Sequence, residues 1–257
     1  MLSTVNQSNK RTAKQSRNLR YTNGMTRKIL IAIFEFLVAL FALGGISQGY
    51  VGGQWEEFCY FTFQSNLAIA IVFIWEGIAT LTEGYRPWPW LKGIVTLCII
   101  ITGVVANTIL PAPDYATEWK AFGFIPNTAL VHITVPIMAV LDFFLFERHK
   151  RYKWWFPLTW PLYAYCWFIF ILIRAAIWPN AGVDPGSHNP YPYWFVDVPK
   201  IGWAEMGKMV IYFTIGFLIL GYILYGLDKA LPRYSAISTI PKEERRRLNE
   251  ERKAARA

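Results

Sequence analysis

The chain has 257 residues, of which 54% are hydrophobic, and it carries a formal net charge of +9. Its apolar residues fall in long blocks, which excludes an ordinary soluble domain. A membrane helix needs about 20 mostly apolar residues, because the hydrocarbon layer offers no partner to an unpaired backbone group. The composition therefore predicts an all-α integral membrane protein.

Six blocks meet this length requirement. We predict transmembrane helices over 29–50, 59–81, 91–110, 126–146, 157–178 and 205–227. A basic segment, 1–28, precedes the transmembrane domain of 29–227, and a basic tail, 228–257, follows it. The first block has no small-residue cleavage site, so we expect it to be retained as an anchor. The short connections favour a single helical bundle.

Three cysteines, Cys59, Cys98 and Cys166, lie within or at the edge of predicted helices. An odd number of cysteines without CxxC spacing favours neither a disulfide framework nor a zinc site. We expect no metal and no cofactor, and the sequence leaves the oligomeric state open.

Lysine and arginine concentrate on one side of the predicted membrane. Residues 1–28 hold seven, the connection with Arg86 and Lys92 holds two, residues 148–153 hold four, and residues 228–257 hold nine. Because basic loops remain in the cytoplasm, we predict cytoplasmic termini and a multi-pass protein of the cell membrane. The basic termini are expected to bind anionic inner-leaflet lipids. Nucleic acid is the alternative partner of the tail, but no recognition fold accompanies it, so we expect none.

Polar residues from all six helices collect at one level near the predicted outer face. They are Ser47, Gln48, Thr62, Gln64, Ser65, Asn66, Asn107, Thr108, His132, Arg174, Glu205 and Lys208. Ionisable residues inside a span are costly and usually face the bundle interior or a watery cavity. A level shared by every helix predicts a pocket at this depth.

A hydroxyl and an imidazole form the chemically active part of this level. Thr62, Ser65 and Asn66 lie on about one face of the second helix, and His132 lies at the same depth in the fourth. A histidine near a hydroxyl can take its proton as the oxygen attacks a carbonyl. The structural alternatives are a threonine bonded to its own i−4 carbonyl and a histidine that only packs. His149, in a basic connection, is expected to be solvated.

Three charged residues belong to the outer half of the helices. Arg174 is suited to bind a carboxylate or an anionic head group, with snorkelling or pairing with Glu205 as the alternative. Glu205 and Lys208 most simply form an ion pair within one helix. The segment 179–203 is too rich in proline for a helix, so we predict a lid or an interfacial loop anchored by its aromatic rings.

An acidic layer, Glu35, Glu76 and Asp142, lies toward the basic side. Buried acids of this kind relay protons or ions in transporters. A non-enzymatic protein, either a small transporter or a lipid-binding scaffold, is therefore the alternative function. The sequence has no inverted repeat and no pair of broken helices, which argues against transport.

Three short motifs carry a resemblance: CYFTFQSNLAIA at 59–70, ALVHITVPI at 129–137 and YPYWFVDVPKIGW at 191–203. They resemble the androgen-induced family of membrane threonine hydrolases, and in particular its shorter bacterial members. The resemblance implies six membrane helices and a threonine–histidine pair that cleaves fatty acid esters of hydroxy fatty acids. It implies that Thr62 and His132 form this pair.

The combined prediction is a membrane-embedded lipid ester hydrolase. Thr62 attacks the carbonyl of a fatty-acyl ester of a membrane lipid, His132 accepts the proton, and water then hydrolyses the acyl-threonine. The candidates for binding the substrate or the developing oxyanion are Ser65, Asn66, Asn107, Arg174, Glu205 and Lys208.

Overall fold

Six helices of the protein are long and apolar enough to cross a membrane, as the sequence predicts. The computed structural model describes residues 2–235, 237, 246–248, 250, 251 and 254, and of residues 2–23 the backbone alone. We number the helices α1 Leu2–Gly45, α2 Phe61–Thr82, α3 Pro89–Thr108, α4 Asn127–Leu145, α5 Phe156–Ile177 and α6 Val198–Ala230. The predicted lipid contacts of the basic termini fall largely outside the described side chains.

Short elements connect the long helices. They are the helix Ser47–Tyr50, the 3-10 turns Trp55–Cys59 and Trp194–Val196, and the antiparallel pair β1 Lys120–Ala121 and β2 Ile125–Pro126. The first 3-10 turn leads directly into α2. The second precedes α6 and belongs to the segment that was predicted to be a lid or loop.

One end of the bundle, which we call the basic end, holds the connections 83–88 and 146–155 and the residues that follow α6. The backbone N–H of His149 donates to the carbonyl of Arg233 at 3.0 Å, and that of Lys150 donates to the carbonyl of Asp228 at 3.0 Å. These bonds fasten the connection between α4 and α5 to the end of α6.

The opposite end, which we call the far end, holds the remaining connections. Trp119 Nε1 donates to Ser47 Oγ at 2.9 Å, and Tyr60 Oη donates to Asp184 Oδ1 at 2.6 Å. The segment 178–197 packs onto the bundle, because Phe195 and Val196 are buried in an apolar cluster with side chains of α5 and α6. This contact covers the far ends of those two helices.

Helix α6 begins seven residues earlier than the predicted 205, inside the proline-rich segment. Pro199 is tolerated there because the first helical turn needs no N–H donor from it. Asp197 caps the turn by accepting a hydrogen bond from the N–H of Lys200. A kink follows at Gly202, whose φ of 80° is readily reached only by glycine.

Two basic-end residues differ from the sequence-based expectation. Lys92 was counted with a loop, but it lies in α3 with 3% of its surface exposed. His149 was expected to be solvated, but it is only 1% exposed and packs edge-on against Phe143 at 4.9 Å between ring centroids. Tertiary packing, which neither hydropathy nor charge counting describes, buries both side chains.

Candidate functional site

Thr62 lies in the first turn of α2 and is buried. Its Oγ1 is 3.3 Å from Tyr193 Oη, and its backbone N–H donates to the same Tyr193 oxygen at 3.4 Å. Other threonines in the long helices bond their own i−4 carbonyl, namely Thr82, Thr102, Thr108 and Thr214. The Thr62 hydroxyl is instead directed toward the segment that crosses the far end.

His132 lies in a π-helical turn, Leu130–Thr134, within α4. Such turns appear as single insertions in α-helices and are frequent at functional sites. Pro136 explains the irregularity, because it has no N–H to donate to the carbonyl four residues earlier, which is that of His132. Asn107 Nδ2 donates to this carbonyl instead, at 3.3 Å. The turn therefore rests on a specific contact between α3 and α4.

The His132 ring has a defined orientation. Its Nδ1 is 3.3 Å from the backbone carbonyl oxygen of Thr102. A carbonyl can only accept a hydrogen bond, so in this contact Nδ1 carries the proton. In the neutral ring Nε2 then keeps its lone pair, which is the form a general base requires.

Thr62 and His132 line the same cavity, which has a volume of about 90 Å³. Thr102 and Tyr193 also line it, and the rest of its wall is mainly aromatic and aliphatic. The apolar wall comes from α2, α3, α5, α6 and the segment before α6, and includes Phe61, Ile101, Trp167, Phe168, Met209 and Phe213. The cavity is thus an apolar chamber with one imidazole and two hydroxyl pairs in its wall, Thr62 with Tyr193 and Thr214 with Tyr165 at 2.7 Å.

Two of the predicted binding residues support the backbone of this pair. Asn66 Nδ2 donates to the Thr62 carbonyl at 2.9 Å, and Asn107 contacts the His132 carbonyl as described above. Ser65 is buried in α2 beside Tyr163 and does not line the cavity. The two amides hold the main chain on either side of the chamber.

The other predicted binding residues lie away from the cavity. Arg174 donates to the carbonyls of Pro190 at 3.1 Å and Gly182 at 3.3 Å, which holds segment 178–197 against α5. Glu205 and Lys208 form an exposed ion pair of 2.6 Å on α6. None of the three lines the chamber.

Tyr193 is the residue at the site to which sequence reasoning gave no individual role. It was part of the predicted aromatic anchor of the loop, but its hydroxyl is the one that meets Thr62. Burial raises the pKa of Tyr193, and its hydrogen bonds to Thr62 oppose this shift. Its place within the YPYWF motif was the available clue. No spacing rule connects it to Thr62, which is 131 residues away.

A cluster of acidic residues lies at the basic end. Carboxylate oxygens of Glu35, Glu76 and Asp142 lie within 4.8 Å of one another, which is close enough to surround an ion. Lys92 forms an ion pair with Glu76 and another with Asp142 at 2.8 Å. An ammonium group therefore already occupies part of the space between these carboxylates.

The chain matches no protein-family model, no curated protein and no solved structure. The resemblance of the three motifs to membrane threonine hydrolases therefore stays a prediction.

Proposed function

We propose that the protein is a membrane-embedded ester hydrolase with Thr62 as its nucleophile and His132 as its general base. The observation that carries the proposal is that a threonine hydroxyl and an imidazole with a free Nε2 line one apolar chamber. Nucleophilic catalysis requires a hydroxyl and a base within reach of one reacting carbonyl. The motif resemblance assigns the same two residues.

The reaction has two halves. His132 Nε2 removes the proton from Thr62 Oγ1 as this oxygen bonds to the ester carbonyl carbon, and the protonated imidazole then gives that proton to the departing alkoxide. Water next attacks the acyl-threonine while His132 again acts as the base. The bond between the acyl carbon and Thr62 Oγ1 breaks, the protonated His132 returns the proton to Oγ1, and the fatty acid is released.

The oxyanion requires hydrogen-bond donors at the chamber wall. The backbone N–H of Thr62 is suited to this role, because it lies in the first turn of α2, where N–H groups have no helical acceptor. Tyr193 Oη already contacts this N–H and supplies a second donor. These two groups replace Ser65, Asn66 and Arg174 as the proposed oxyanion donors.

The proposed substrate is a fatty-acyl ester from the membrane. The apolar wall of the chamber suits an acyl chain, and the position of Thr62 in the first turn of its helix supports a reacting carbonyl near the end of the bundle. The motif resemblance narrows the class to fatty acid esters of hydroxy fatty acids. We further propose that the far end is the outer face of the cell membrane, since the basic loops lie at the other end.

Active-site labelling tests the hydrolase proposal. The purified protein in detergent is treated with a fluorophosphonate probe, and the variants Thr62→Ala and His132→Ala are compared with the wild type. Thr62→Ala should abolish labelling, and His132→Ala should slow it by about 10²–10⁴-fold, because a general base contributes that much. Thr108→Ala is the matched control, since this exposed threonine bonds only its own helix. Equal labelling of all four proteins would refute the proposal.

The acidic cluster at the basic end favours a second candidate, a small transporter that relays protons or ions. Three spanning helices contribute its carboxylates, which is the arrangement a relay needs. An uptake assay in proteoliposomes tests it with the variants Glu76→Gln and Asp142→Asn. Uptake that both substitutions leave unchanged would remove this candidate.

A further inference from the structure

The acidic cluster at the basic end is buried between four long helices. Glu35 of α1, Glu76 of α2 and Asp142 of α4 are each no more than 4% exposed. Lys92 of α3 is equally buried and supplies the ion pairs to Glu76 and Asp142. An isolated charge is very costly in such a place, so the charges of the cluster have to balance.

Glu35 is the carboxyl that has the weakest basic partner. Its Oε1 is 3.8 Å from an Arg86 nitrogen, which is at the outer limit of an ion pair. Its Oε2 is buried without a hydrogen-bond partner among the described residues, as is Oδ1 of Asp142. A proton on Glu35 removes the charge that this weakly paired carboxyl would otherwise carry in a buried place.

A tyrosine provides an independent observation beside the cluster. Tyr152, in the connection between α4 and α5, is 4% exposed, and its hydroxyl is buried without a hydrogen-bond partner among the described residues. Burial raises the pKa of Tyr152 well above its usual value, and the charges of Glu147, Asp228 and Glu76 raise it further. Tyr152 is therefore a second buried polar group at the basic end whose hydrogen-bonding capacity is unused.

The charged groups do not balance without a proton. The groups that face the cluster are Glu35 of α1, Glu76 and Thr80 of α2, Arg86 of the next connection, Lys92 of α3, Asp142 of α4, Glu147, Arg151 and Tyr152 of the connection that follows, and Asp228 of α6. Asp228 is satisfied separately, by Lys229 and by backbone N–H groups. Among the described residues, Glu35, Glu76 and Asp142 form ion pairs with two basic side chains, Lys92 and Arg86, which leaves one negative charge over.

We infer that this cluster is a proton-binding site in which Glu35 holds the proton at neutral pH and Lys92 is the fixed counter-ion of Glu76 and Asp142. A metal cation is the less suitable ligand, because it would have to lie beside the Lys92 ammonium, whereas a proton needs no such space. The site is at the opposite end of the bundle from the Thr62 chamber. It does not depend on the hydrolase proposal.

Infrared spectroscopy tests this directly. Purified protein in lipid vesicles at neutral pH should give the carbonyl band of a protonated carboxyl, and the band should shift when H₂O is replaced by D₂O. The band should lose intensity in Glu35→Gln and keep it in Glu205→Gln, which alters an exposed acid of α6. Absence of the band in the wild type, or an unchanged band in Glu35→Gln, would overturn the inference.

Thermal stability provides a second measurement that needs no spectral assignment. At pH 7, the Tm of Glu35→Gln should lie within about 2 °C of the wild-type Tm, because the amide resembles a protonated carboxyl. Glu76→Gln should lower the Tm by about 6 °C or more, because it removes an ionised partner of buried Lys92. An equal fall in both variants would mean that Glu35 is ionised. A Tm that rises with added Na⁺ or Mg²⁺ in the wild type but not in Glu35→Gln would indicate a metal site. Either result would overturn the inference.

Discussion

At the scale of single residues, the environment of Thr62 distinguishes it from its neighbours. Thr82, Thr102, Thr108 and Thr214 each donate to the carbonyl four residues earlier, whereas the Thr62 hydroxyl contacts that of Tyr193. The sequence predicted Thr62 and His132 as a pair at one depth, and both line the same cavity. It could not identify Tyr193, because a contact across 131 residues depends on how segment 178–197 folds back.

Replacing the Tyr193 hydroxyl tests its proposed role. Tyr193→Phe should slow acylation of Thr62 by about 10²–10³-fold, because one donor to the oxyanion is lost. It should lower the free energy of unfolding by only about 1 kcal/mol, the usual contribution of one hydrogen bond. The rate of fluorophosphonate labelling and thermal unfolding measure the two effects. Tyr191→Phe is the control, and an unchanged labelling rate in Tyr193→Phe would contradict the role.

At the scale of elements, the apolar blocks predicted six helices correctly, because length and composition decide whether a segment can span a membrane. Their ends were harder to predict. The proline content of 179–203 suggested a loop up to residue 203, yet α6 begins at Val198 because a proline in the first turn breaks no helical bond. The π turn of α4 was not predicted at all, although Pro136 was visible in the sequence.

The π turn provides a prediction at this scale. Pro136→Ala supplies an N–H that can donate to the His132 carbonyl, so the turn should relax toward a regular α-helix. The imidazole would then be displaced from its place in the chamber wall. Labelling should fall by about 10²-fold, because a misplacement of about 1 Å is enough for such a loss.

The matched control for that substitution is Pro89→Ala, because Pro89 is the first residue of α3 and interrupts no helical hydrogen bond. Circular dichroism and the thermal unfolding of both variants would show that the bundle is intact. Labelling of Pro136→Ala at the wild-type rate would mean that the π turn does not position His132.

At the scale of the whole molecule, the bundle has different polar chemistry at its two ends. The far end has the hydroxyl–imidazole chamber, and the basic end has a network of buried ionic groups. The sequence indicated both polar levels from the depth of residues in their spans. It counted Lys92 with the basic residues of a connection, because such a count does not distinguish a solvated lysine from one that pairs with Glu76 and Asp142.

The basic end should make stability depend on pH through Glu147. Burial raises the pKa of Glu147 to about 8 from a usual value of 4.5; Lys92 opposes this shift, and nearby Glu76 and Asp142 add to it. The folded protein therefore binds a proton that the unfolded chain has lost, so the stability from Glu147 is fully present below about pH 4.5. This contribution of Glu147 is lost as the pH rises to about 8, and a further rise in pH has no additional effect through Glu147.

Thermal unfolding at a series of pH values measures this effect. The Tm of the wild type should fall between about pH 5 and pH 8, and the Tm of Glu147→Gln should fall less steeply, because its amide does not titrate. Glu205→Gln, in which an exposed acid is replaced, should follow the wild type. The account of Glu147 would be wrong if its amide variant lost stability as steeply as the wild type.

The most direct test of the hydrolase account is to locate the covalent adduct. After reaction with a fluorophosphonate, the protein is digested and the modified peptide is sequenced by mass spectrometry. We predict that the adduct is on Thr62 and that its yield at short reaction times falls sharply in His132→Ala. An adduct on Ser65, on Cys59 or on another residue outside the chamber wall would contradict the account. The absence of any adduct would contradict it as well.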